Sequence, residues 1–364
     1  MSVKDLFQPL TVRSLTVPNR FAMAPMTRQA SPGGIPGRDV AEYYRRRAAG
    51  GVGLIITEGI RLPDPAAGHP FSVPAIAGEE VLAGWTRVVD AVHSEGATIA
   101  AQLWHQGIQR DDADGVVPVG PSGIDGQGNP RGRALQTGEL PAIAELYAHS
   151  AATARRLGFD AVEIHGAHGY LLDQFFWERT NRRTDGYGGS LAARTRFPAE
   201  VVAAVRAAVG PDYPVIFRFS QWKGTDYAAS IVDDPTQLQE LLTPLVEAGV
   251  DVLHPSTRRH DVAAFPDRDA KLSLAGWTKK VTGVPVIAVG SVGLNTQFRS
   301  EKRGEVIQPA PVDRLVEQFD AGEFDVAAVG RALLADPTWV NRLRRGELDG
   351  FGGYDAAAAL AALA

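Results

Sequence analysis

A chain of 364 residues with 45% apolar and 22% charged residues has the makeup of a globular protein large enough to bury a core without covalent staples. Its net charge of −5 offers nothing to a nucleic-acid backbone, and the absence of cysteine excludes disulfides, thiolate metal sites, a cysteine nucleophile and cysteine-ligated iron–sulfur clusters. The N-terminus lacks the apolar core of a secretory signal and no run approaches the ~20 apolar residues of a membrane span, so the expected location is cytoplasmic, with no membrane partner.

The first readable element is a hairpin over residues 9–20, placed to close the bottom of a barrel. Short β-branched or apolar runs then recur at 21–24, 53–57, 98–103, 161–164, 215–219, 250–253, 284–289 and 325–329, the pattern of buried parallel strands. Helix-period segments lie between most of them, clearest at 81–94, 142–157, 190–208, 235–248 and 312–319. Asp234-Pro235 marks a capped helix start, and Gly96, Gly158, Gly210 and Gly249 stand where helices should stop. Eight such repeats predict an α/β fold, a (β/α)8 TIM barrel with an N-terminal hairpin and elaborated βα loops. No GxGxxG follows any strand, which argues against a Rossmann domain. Irregular stretches at 105–140, 254–275 and 291–311 follow strands 3, 6 and 7, so they belong on the C-terminal face, where barrels carry their active sites. The expected organisation is one domain over residues 1–345 and a Gly/Ala-rich tail over 346–364, whose alanine-rich end is a short helix or frayed.

Polar groups just past barrel strands are the candidates for chemistry. Gly290-Ser291-Val292 after strand 7 and Gly330-Arg331 after strand 8 occupy the positions of the usual barrel phosphate site. Either glycine alone fits a tight turn; as a pair, with Arg331, they fit a phosphate better. Arg218, between two phenylalanines of strand 5, points into the barrel. It either pairs with Glu58 or Glu163 or faces an electron-rich ring. His165 and His168 read as a zinc pair, with His105, His254 or Asp173 as third ligand, as two hydrogen-bond donors, or as structural histidines.

From about Leu6 to Trp339 the chain resembles the Old Yellow Enzyme family of NAD(P)H:flavin oxidoreductases. The matching segments are Asn19 to Thr27, Gln102-Leu103-Trp104-His105, Val162 to Phe176 with its His165-Gly166-Ala167-His168-Gly169-Tyr170 core, Asn181 to Asp185, Tyr187 to Ser190, and Gly330 to Pro337. That resemblance implies an FMN-dependent ene-reductase with NADPH or NADH as reductant and a small activated alkene as substrate, with homo-oligomerisation left open. It implies that Pro25, Met26, Thr27, Gly59 and Gln102 contact the flavin ring. Arg218 would sit beside N1, and Gly290, Ser291, Val292, Gly330 and Arg331 would hold the phosphate. His165 and His168 would grip the substrate carbonyl, Tyr170 would donate the proton, and Trp104 would join them in the substrate site. The chain sides with two-histidine members that keep threonine near the flavin. It departs from many relatives at Gln106-Gly107-Ile108, Ser220-Gln221-Trp222-Lys223 and Arg258-Arg259-His260. Trp104, Phe175, Trp222 and the 254–275 loop are expected to shape the substrate pocket. The alternatives are a metal-dependent barrel hydrolase built on the histidine pair, another FMN barrel such as a hydroxy-acid oxidase, and a non-enzymatic binding barrel. The longer dienoyl-CoA reductases require cysteines that this chain lacks.

Overall fold

The computed structural model describes residues 3–68, 72–299, 305–360 and 363. Residues 300–304 of the irregular 291–311 stretch, and 361, 362 and 364 of the alanine-rich end, lie outside the described residues. Eight parallel strands carry the fold: β1 (Phe21–Met23), β2 (Leu54–Arg61), β3 (Thr98–Trp104), β4 (Ala161–His168), β5 (Val215–Lys223), β6 (Val252–Pro255), β7 (Ile287–Val289) and β8 (Val326–Val329). Hydrogen bonding runs in the order β6-β5-β4-β3-β2-β1-β8-β7, and the bridges Leu253–Val286 and Ser256–Val289 join the two ends into a barrel.

Helices α1 (Arg38–Ala49), α2 (Glu79–His93), α3 (Leu140–Arg156), α4 (Leu191–Val209), α5 (Pro235–Glu247), α6 (Leu274–Thr282), α7 (Asp313–Asp320) and α8 (Trp339–Arg345) follow the strands in turn. α5 shows how the sequence encodes this layer. Asp234 accepts from the amides of Thr236 and Gln237, Pro235 opens the helix, and Leu238, Leu241, Leu242 and Leu245 bury one stripe. Each buried leucine contributes roughly 1.5–3 kcal/mol. At the turn after α5, Gly249 has φ +119°, and a Cβ there would meet the Arg206 side chain at 2.8 Å, so only glycine fits. α1, α6 and α8 are not among the clearest helix-period segments of the sequence. α8 is only seven residues long, and α1 is interrupted by charges at Arg45, Arg46 and Arg47.

Alternation along the central strands sorts side chains into tiers. Ala100, Ala161, Ile216 and Val252 share an apolar cluster at the bottom of the barrel with Leu15 and Val17 of the hairpin, whose strands Leu10–Val12 and Leu15–Val17 pair antiparallel. The hairpin therefore closes that end, as expected. Two residues further along the same strands stand Gln102, Glu163, Arg218 and His254, all buried. Two further again come Trp104, His165, Ser220 and Ser256. Period-two alternation thus converts one parallel sheet into an oily floor, a polar tier and a functional rim.

Candidate active site

Above the polar tier opens a cavity of about 900 Å³. Every flavin- and substrate-contacting residue that the family resemblance implied lines it. Pro25, Met26 and Thr27 follow β1, Gly59 lies on β2, Gln102 and Trp104 on β3, and His165, His168 and Tyr170 at β4. Arg218 comes from β5, Gly290, Ser291 and Val292 follow β7, and Gly330 and Arg331 follow β8. Trp222 also lines the wall, and the 254–275 stretch contributes Ser256, Thr257 and Arg258. Phe175 does not: it is fully buried in the core with its ring 4.6 Å from Phe197, because the short helix Leu171–Phe176 turns it away from the mouth.

Sequence reading did not single out Ser256, Arg28 or Tyr354, which line the same cavity. Ser256 had a signal, since it repeats the inward position of His254 two residues on. Tyr354 had none. It arrives because Tyr354–Asp355 pairs antiparallel with Val306–Ile307, a long-range contact, while Arg28 Nη2 donates to the Ala359 carbonyl.

The polar tier is a fixed network. Glu163 accepts from Gln102 Nε2 at 2.7 Å and from His254 Nδ1 at 2.6 Å. Neither of the ion pairs considered for Arg218 forms among the described residues. Glu163 has those two partners, and Glu58 accepts the Arg28 amide at 2.9 Å. Arg218 instead donates Nη2 to Ser256 Oγ at 3.1 Å, and its buried Nε has no partner among the described residues. Burial lowers Arg218 to about 10, which leaves it cationic at neutral pH, with Glu163 opposing the shift.

The histidine pair is neutral. Burial, then the Arg218 charge, pushes His165 down to about 3 and holds His168 well below its ordinary value. Their rings lie 5.1 Å apart at 83°. His165 Nδ1 accepts the Ala167 amide at 3.2 Å, so its proton sits on Nε2. His168 has φ +64°, a conformation uncommon outside glycine. Ser220 Oγ accepts its N–H at 2.9 Å, while Gln109 Nε2 and the Gly224 amide donate to its carbonyl. Tyr170 packs edge-on against both Trp104 and His165, each at 5.0 Å, and burial raises its hydroxyl so that it keeps its proton.

No group of three His, Cys, Asp or Glu side chains placed to hold a metal occurs among the described residues. The third ligands considered for zinc are engaged elsewhere. His105 Nδ1 accepts the Gly107 amide, Asp173 pairs with Lys223, and His254 pairs with Glu163. A metal-dependent hydrolase is therefore not favoured.

FMN fits the same residues. Arg28, Arg218, Arg258, Arg299 and Arg331 line the cavity, with no carboxylate among its described lining residues, as a phosphate-bearing guest requires. Arg218 Nε, which has no partner among the described residues, offers such a guest a further donor. At the other end, Arg331 Nη2 lies 2.8 Å from Ser291 Oγ, and the loop is tight: a Cβ on Gly290 (φ +137°) would meet Thr257 Oγ1 at 2.7 Å.

Residues 5–349 match the model of the NADH:flavin oxidoreductase / NADH oxidase family. The chain is similar to an NADH oxidase of Thermoanaerobacter brockii, 34% identical over 94% of this chain but only 51% of that protein, so it spans about half its length. It is also similar to 12-oxophytodienoate reductase 7 of Oryza sativa subsp. japonica, 34% identical over 93% of this chain and 87% of the relative. Among solved structures, morphinone reductase in complex with tetrahydroNAD superposes with a TM-score of 0.79 at 33% identity, covering 97% of this chain and 93% of the other. The old yellow enzyme homologue from Zymomonas mobilis gives 0.79 at 27% identity, covering 98% and 96%. The chain belongs to the Old Yellow Enzyme family of NADH:flavin oxidoreductases.

Proposed function

We propose that this chain is an FMN-dependent ene-reductase that reduces the C=C bond of α,β-unsaturated carbonyl compounds with NADH or NADPH. The observation that carries this reading is the convergence of two neutral histidines and one protonated tyrosine on a single cavity whose other end is cationic. The named reductases of 12-oxophytodienoate and morphinone among its relatives support the same class.

FMN, when bound and reduced by the nicotinamide, supplies hydride to the alkene β-carbon. Gly290, Ser291, Val292, Gly330 and Arg331 hold its phosphate, while Pro25, Met26, Thr27, Gly59, Gln102 and Arg218 face its ring. His165 and His168 donate to the substrate carbonyl oxygen, and these donors act most strongly where enolate charge develops. Neutral histidines suit the task because they donate without competing as acids. Tyr170 delivers its phenolic proton to the α-carbon. Trp104 and Trp222 wall the substrate end.

The test is an absorption spectrum of the purified protein, followed by anaerobic NADH or NADPH and then cyclohexenone. Flavin bands that bleach with the nicotinamide and return with the enone are expected. A protein that stays colourless after added FMN would overturn the proposal.

A further inference from the structure

We propose that Ser256 is a positioning residue that fixes the tautomer of His168 and ties that histidine to Arg218. Its hydroxyl lies 2.8 Å from His168 Nε2 and 3.1 Å from Arg218 Nη2, and the residue is 2% exposed. The direction of both bonds follows from donor counting. A guanidinium carries only N–H groups, so Arg218 donates and occupies a lone pair of Ser256 Oγ. The hydroxyl has a single proton, and His168 Nε2 is its only other hydrogen-bond contact among the described residues. Oγ has a second lone pair, so it could also accept from an Nε2–H; donation to Nε2 is the arrangement that gives the hydroxyl proton an acceptor among the described residues. A neutral imidazole that accepts at Nε2 carries its proton on Nδ1.

The two histidines thus present opposite tautomers. His165, with Nδ1 accepting from Ala167, offers Nε2–H, whereas His168 offers Nδ1–H. Both nitrogens that remain are donors, which is what a carbonyl oxygen between them needs. The wrong tautomer at His168 would aim a lone pair at that oxygen. Other freedoms of His168 are already removed. Its backbone is held by Ser220, Gln109 and Gly224, and its ring lies 4.4 Å from Trp222, whose indole N–H donates to the Ser256 carbonyl at 3.0 Å. Tautomer is the variable left, and Ser256 sets it.

This role in binding rests on the ene-reductase reading, whereas the tautomer itself does not. The experiment is 15N NMR of the purified holoenzyme labelled at histidine, with His168 assigned from the signals lost in His168→Gln, alongside titration with p-hydroxybenzaldehyde as a phenolic probe. Wild type should show His168 protonated on Nδ1 and His165 on Nε2. Ser256→Ala should mix the His168 tautomers and weaken the probe about 10-fold, the loss of roughly one hydrogen bond, with the His165 signals unchanged. Ser256→Thr, which keeps a hydroxyl, should restore both. A wild-type His168 protonated on Nε2, or a Ser256→Ala variant with unaltered tautomer, overturns the inference. Intact tautomers in a protein that fails to turn over any enone would overturn the functional reading instead.

Discussion

Lys223 Nζ lies 2.7 Å from Asp173 Oδ1, and both side chains are fully buried behind the His165–Tyr170 turn. Asp173 Oδ2 accepts the Gly169 amide, one residue past the strained His168, while Lys223 also donates to the Ser220 carbonyl. The pair therefore buttresses the turn that carries the histidine and the tyrosine without entering the cavity. Burial pushes Asp173 up to about 6 even with the ammonium opposing it.

Lys223→Met should cost about 3–5 kcal/mol, because it leaves a buried carboxylate with an amide as its sole remaining partner. Lys223→Met with Asp173→Asn, which removes both charges and keeps an acceptor for Gly169, should recover most of that loss. Urea unfolding of the two variants measures this. Equal destabilisation in both would show that packing, rather than the unpaired charge, dominates.

Tyr170→Phe should leave reduction of the bound flavin by NADH or NADPH within about 2-fold and slow enone turnover by about 10²–10⁴, the range expected for a lost general acid. Stopped-flow measurement of the two half-reactions separates them. If the alkene half-reaction keeps its rate, the proton comes from elsewhere.

The part of this machinery legible in the sequence was the part encoded locally. Strand ends carry their chemistry in adjacent letters, so His165, His168, Gly290 and Arg331 all reached the cavity from motif and position alone. What stayed hidden was pairing across the barrel. Nothing in Ser220-Gln221-Trp222-Lys223 announces a partner fifty residues earlier at Asp173, and nothing in Glu163 shows that His254, rather than Arg218, takes its second oxygen. Phe175 misled for a related reason. It sits five residues after Tyr170, but one turn of helix rotates it into the core.

Arg331→Met should raise the dissociation constant for FMN about 10- to 100-fold, since hydrogen bonds to charged groups contribute roughly 1.5–3 kcal/mol. Recovery of free-flavin fluorescence on dilution measures the release. An unchanged constant would move the phosphate away from Arg331.

Acid should destabilise the protein well before carboxylates of ordinary pKa titrate. Burial first, with nearby Arg110 for one and Arg218 for the other, pushes His105 and His165 down to about 3, and burial also lowers His168, His254 and His260. The unfolded chain takes up these protons near pH 6.5 while the native state does not, so each such histidine removes up to about 1.4 kcal/mol per pH unit as the pH falls from there. Two carboxyls act in the opposite sense. Burial raises Glu58 to about 7 and Asp173 to about 6, so their protonated native forms contribute stability in acid that is lost as the pH rises through those values. Two groups do not offset five. Below about pH 4 both carboxyls are protonated in the unfolded chain too, so their compensation stops growing while the histidine deficit continues. The melting temperature, followed by tryptophan fluorescence, should therefore fall from pH 7 to pH 5 and more steeply below pH 4.5. A level profile from pH 7 to pH 4 would mean that these histidines accept protons in place, and the neutral carbonyl-gripping pair would lose its physical basis.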